Sequence, residues 1–91
     1  MNIMERYQER CERQYRQLHE MYMKADQQGR SWSAQFDLEE QYLKKKHRLA
    51  NVVWFNGLSY EEQIEIAART KNQDFIRKLD NVQLAAYRII L

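Results

Sequence analysis

The sequence contains no proline and only two glycines among its 91 residues. Sheet-rich folds need turn residues every 8 to 12 positions or so, and here the only breaks are Gly29 and the pair Asn56-Gly57. The chain is therefore expected to be all-α. At this length one core is the ceiling, which predicts a single helical domain over residues 1–91. A single cysteine excludes an internal disulfide framework and a thiolate zinc cluster, and suits a reducing compartment. With no secretory apolar segment and no long apolar run, the expected location is the cytoplasm. The net charge of +2 names no partner class.

Residues 2–28 read as one long helix. At 100° per residue Met4, Tyr7, Cys11, Tyr15, Leu18, Met21, Tyr22 and Ala25 fall in one arc of about 120°, with near-heptad spacing. Gly29 supplies a left-handed stop, and Ser31 or Ser33 can cap the next helix. That second helix is predicted from about Ser33 to Phe55. Its apolar positions, Phe36, Leu38, Tyr42, Leu43, Leu49, Ala50, Val53 and Trp54, sweep roughly 180°, wider than a surface helix needs. Two neighbours are implied: the first helix as an antiparallel hairpin partner, and the C-terminal third on the other side. The short connection predicts paired residue numbers that sum to about 61, which sets Ala25 near Phe36, Leu18 near Leu43, Cys11 near Ala50 and Tyr7 near Trp54.

The last third divides into two or three shorter helices packed against that hairpin. Ser59 and Glu62 form a capping box that opens one of them, with Tyr60, Ile64, Ala67 and Ala68 on its inner face and an end near Thr70 to Asn72. A further start lies at Asn72 or Asp74. Asp80 or Asn81 then either caps a separate helix or kinks a continuous one over 73–90. The apolar ending Ile89-Ile90-Leu91 is expected to be buried, in the core rather than in another chain.

Charge is distributed unevenly. Between residues 31 and 43 there are three acids and no base, whereas 44–57 carries Lys44, Lys45, Lys46 and Arg48 and no acid. Such a basic helix face suits a phosphate backbone or an acidic protein surface; it is equally a solvated face, since Glu40 and Lys44 make a well-oriented i,i+4 pair. Arg6, Arg10, Arg13 and Arg16 line the polar side of the first helix, but Glu9 and Glu12 precede Arg13 and Arg16 by four residues and compensate them.

No catalytic constellation is legible, and no enzyme activity is expected. His19 and His47 stand in no motif. The hairpin register sets Cys11 within a turn of His47, yet neither a glycine loop nor an orienting third group accompanies them, so packing accounts for the cysteine better than nucleophilic chemistry does. Metal-ligand spacing and phosphate-cradling glycines are absent, so no cofactor is expected.

Aromatic content is high, at 12% with six tyrosines. Tyrosine and tryptophan join a large apolar area to a polar tip, which suits interfaces. Trp32, in the short connection, either closes the hairpin tip against Phe36 and Met23 or anchors a partner. The preferred functional expectation is a small non-catalytic module that binds a larger macromolecular partner, a protein, and regulates or inhibits it by occupying a surface. Phage-encoded and accessory inhibitors are commonly of this size and kind. Its expected contacts are Trp32, Tyr15, Tyr22, Lys44, Lys45 and Arg48. The competing expectation is nucleic-acid binding through Arg10, Arg13, Lys44, Lys45 and Arg48. Either is compatible with a homodimer, since a tyrosine-rich hairpin can pair into a four-helix arrangement.

Overall fold

The computed structural model describes residues 1–90. It is all-α, with five helices and no strand among the described residues: α1 (Ile3–Gln27), α2 (Ala34–Asn56), α3 (Tyr60–Thr70), α4 (Gln73–Ile76) and α5 (Asn81–Ile90). The two long helices and the shorter C-terminal ones follow the expected architecture. The open question over residues 73–90 resolves as two helices with a break at 77–80.

Each helix end is set by identifiable local chemistry. Asn2 caps α1, its Oδ1 accepting from the Glu5 amide at 2.8 Å while its amide donates to the Glu5 carboxylate at 2.7 Å. At the other end Gly29 adopts φ 67°, and the amides of Gly29 and Arg30 donate to the carbonyls of Asp26 and Ala25 at 3.1 and 2.9 Å. This is the paired-bond termination that a left-handed residue permits. Ser33 opens α2, accepting from the Phe36 amide and donating to the Arg30 carbonyl. The predicted capping box of α3 is present, with both Ser59–Glu62 bonds made.

The chain divides into two compact units, one of residues 1–6 and 50–91 and one of residues 7–49. In the first, Ile3, Phe55, Ile64, Ile66, Ala67, Ala68, Phe75 and Leu79 are buried. Phe55 and Phe75 stack face to face at 4.7 Å, tilted by only 6°, and Trp54 meets Phe75 at 6.3 Å with the rings inclined by 49°. Lys71 ends α3 in the left-handed region (φ 53°), turning the chain sharply so that Asn72 caps α4 and Phe75 comes back under Phe55.

A polar relay lies in this apolar setting. Gln83, only 3% exposed, donates from Nε2 to the Gln63 side chain (2.8 Å) and the Tyr60 carbonyl (3.3 Å) and accepts from the Asp80 amide (3.0 Å). Gln63 in turn donates to the Phe55 carbonyl at 3.0 Å. Asp80 Oδ1 accepts from the Gln83 amide, so Asp80 and Gln83 form a second capping box, at the start of α5. Arg6 reaches the Glu62 carboxylate at 3.3 Å and links the first turns of α1 and α3.

In the unit of residues 7–49, only Ala25 and Phe36 are buried. Tyr22 packs on Phe36 at 5.7 Å and Gln17 meets His47 at 2.8 Å, pairs that bracket the register expected from the short connection. Two expectations need correction, and one alternative is decided. Leu38, Tyr42 and Leu49 are 67, 71 and 58% exposed, so this side of α2, expected to be covered, lies open to solvent. The width of an apolar arc shows that a helix has more than one apolar side without showing that its own chain covers each. Of the two placements open to Trp32, closing the tip against Phe36 and Met23 is not the one adopted: the side chain is 84% exposed. Ile89 and Ile90 are also exposed and are not core: Ile89 is turned about 120° from the buried Gln83 face of α5, and Ile90, on that face, borders the open groove beside Ile64, Ala68 and Ala86; Leu91 lies outside the described residues.

Replacing Gln83 with Leu strands the Asp80 amide and the Gln63 amide oxygen, and is expected to cost about 1–3 kcal/mol in urea denaturation. Gln63→Leu in the Gln83→Leu background should cost less than Gln63→Leu alone, because its partner is already gone.

Candidate interaction surface

The residues singled out in the sequence occupy different settings in the hairpin. Trp32 stands exposed in the connection between α1 and α2. Tyr15, 68% exposed on α1, stacks on His19 one turn later, at 6.1 Å and nearly parallel. It borders a shallow depression with Cys11, Glu12 and Arg16.

Tyr22 and Lys44 are brought together around Glu40. The Tyr22 hydroxyl hydrogen-bonds the Glu40 carboxylate, which raises the phenol's pKa and lowers the carboxyl's; the same carboxylate meets the Lys44 ammonium at 3.3 Å and raises its pKa. Tyr22 is accordingly half-buried, and the charge of Lys44 is balanced within the hairpin. Lys45, Lys46 and Arg48 are exposed. On α1, Arg13 is exposed whereas Arg10 is half-buried; burial lowers the pKa of the Arg10 guanidinium, and the neighbouring charge of Arg13 adds to that.

The structure separates Cys11 from His47. The His47 ring is engaged by Gln17 Oε1, six residues along α1 from Cys11, a rise of about 9 Å. Cys11 is a half-buried thiol on the α1 stripe. Among the described residues no group of three or more His, Cys, Asp or Glu side chains is arranged to hold a metal ion, and no helix is long and apolar enough to cross a membrane.

Two surfaces are not apparent from the sequence. Leu38, Tyr42 and Leu49 fall within an arc of about 40° on α2, while Phe36, Glu40 and His47, which meet α1, lie about 160° away from it. The signal is present in the over-wide apolar arc, whose composition is that of a core face. In the other unit, α3 and α5 flank an open groove of about 390 Å³ whose apolar wall is formed by Ile64, Ala68, Ala86 and Ile90, with Glu61, Glu65 and Arg69 along its rim. Arg69 meets Glu65 at 3.3 Å there.

His47 offers a titration that reports on the hairpin. Burial, aided by Lys46, lowers its pKa below the ordinary 6.5. The unfolded chain therefore takes up this proton at a higher pH than the folded one does, so the contribution is full above about 6.5 and is lost as the pH falls below it. The Glu62 carboxyl, lowered first by the Ser59 backbone amide, acts only below its ordinary 4.5. The melting temperature should fall between pH 7 and pH 5, and His47→Gln should flatten that slope.

Set against protein-family models, curated proteins and solved structures, the chain matches none.

Proposed function

We propose that this chain is a small non-catalytic interaction module that binds a larger protein and regulates or inhibits it by occupying a surface, acting in the cytoplasm as accessory proteins of the kind phages encode do. The observation that carries this reading is Trp32, a tryptophan 84% exposed in the tight connection between two helices. A large rigid aromatic held at a tip is a poor use of surface for a chain alone and an effective anchor for a partner's pocket, where tryptophan supplies binding energy out of proportion to its number. Tyr15 adds a second exposed aromatic on α1, stacked on His19 one turn later. Occupying a surface needs no reacting groups of its own.

A second reading, nucleic-acid binding, draws on the exposed Lys45, Lys46 and Arg48 in a stretch of α2 that contains no acid after Glu40. Arg13 would add to it, with Arg10 and Lys44 contributing less because their charges are partly buried or balanced. The favoured partner remains a protein.

The test uses affinity capture from nuclease-treated lysate, followed by titration of the captured protein. Trp32→Ala should weaken binding by about tenfold or more while leaving the circular-dichroism melt unchanged, because the side chain packs on little of its own chain. Undiminished affinity removes the anchor and with it the proposal. Capture that disappears on nuclease treatment, together with a mobility shift that weakens steeply with salt, supports the second reading instead.

A further inference from the structure

We infer that the exposed α2 stripe is a self-complementary surface through which two copies of this chain associate, with their α2 helices antiparallel about a two-fold axis. The stripe consists of Leu38, Tyr42 and Leu49, with Lys45 on the same line, and it faces away from α1. Covering it answers a deficit within the unit of residues 7–49, where only Ala25 and Phe36 are buried. Two helices joined tip to tip cannot enclose a core by themselves, and a further helix layer is the usual remedy.

Charge selects a second copy as the occupant and fixes its direction. On α2, Asp37 and Arg48 lie along one margin of the stripe, and Glu39 and Lys46 along the other. A two-fold axis across an antiparallel pair keeps each margin facing its own counterpart and reverses its order. One register then sets Asp37 level with Arg48 of the second copy and Glu39 level with Lys46 of the second copy, each pair made twice. In that register Leu38 lies within half a turn of the second copy's Leu49, and Tyr42 lies beside its own counterpart at the axis, where the stem of Lys45 can cover the ring while its ammonium reaches solvent. A parallel pair would instead align the acidic first half of α2 with itself and the basic second half with itself, and flanking charges of this kind set partner choice and orientation in paired helices. This inference does not rest on the proposed partner function: it uses a different face from Trp32 and Tyr15, and either can fail alone.

The experiment is light scattering on size-exclusion eluates of the full chain, from about 1 to 200 micromolar. The expected mass rises toward twice the 11.2 kDa of one chain. Asp37→Arg alone places arginine against arginine, and Arg48→Glu alone places acid against acid; each should weaken self-association by about tenfold or more. An equimolar mixture of the two variants restores opposite charges at both pairs and should recover a dimer near wild-type strength, as should the double variant Asp37→Arg/Arg48→Glu. Both positions are exposed, and the circular-dichroism spectrum of each single variant checks that it stays helical. A wild-type mass that stays at one chain across the range overturns the inference. So does a dimer that the single variants leave intact, or one that mixing fails to restore.

Discussion

The amide of Gln83 is the interaction on which the C-terminal part of this protein turns. A buried carboxamide must find partners for both its ends or cost more than an apolar residue would. Gln83 does so by reaching the ends of three helices: the Asp80 amide left over at the start of α5, the Tyr60 carbonyl in the first turn of α3, and, through Gln63, the Phe55 carbonyl in the last turn of α2. Three helix termini are thus joined by two glutamine side chains. Apolar packing, led by the Phe55–Phe75 stack, supplies cohesion without direction; the relay determines which helix end meets which.

The unit of residues 7–49 is built on another principle. Its cross-helix contacts are polar or amphipathic, as in Tyr22 with Glu40 and Gln17 with His47, and its apolar side chains are divided between the seam and the solvent. Ion pairs that solvent still reaches, such as Arg30–Glu39 at 3.0 Å and Lys44–Glu40, contribute little each. Such a hairpin holds its shape through its two well-made ends, the Gly29 termination and the Ser33 cap, more than through what lies between them.

How much of this is legible in the sequence depends on the range of the interactions. Features decided within four residues are legible: the left-handed Gly29, the Ser59–Glu62 box, the long amphipathic run of α1. Asp80 is visible as a break, but its box requires Gln83 to be recognised as an inward residue, and a glutamine among Val82, Leu84 and Ile89 looks like the polar side of a helix. The exposure of Trp32 and Tyr15 is only half legible: Trp32 sits in a connection where the sequence leaves it open to pack or to project, and Tyr15 falls in the apolar arc of α1 and yet is 68% exposed. The α2 stripe is not legible, since Leu38, Tyr42 and Leu49 have the composition of a core face, and only three-dimensional geometry reveals that the chain leaves that side uncovered. The ending at Ile89 and Ile90 misleads for the same reason.

The left-handed turn at Lys71 has a dynamic consequence. A lysine in that conformation is disfavoured by about 1–2 kcal/mol on its own, and the short α4 cannot hold it there, since four residues make too little helix to persist alone. Local bonds close it, from the Lys71 amide to the Ala67 carbonyl at 2.9 Å and from the Asn72 amide to the Thr70 hydroxyl at 3.2 Å, and Phe75 against Phe55, two rings twenty residues apart in the chain, adds the long-range contact. The reversal and α4 thus lean on a contact that lies outside both, and they are expected to loosen together when the aromatic pair opens.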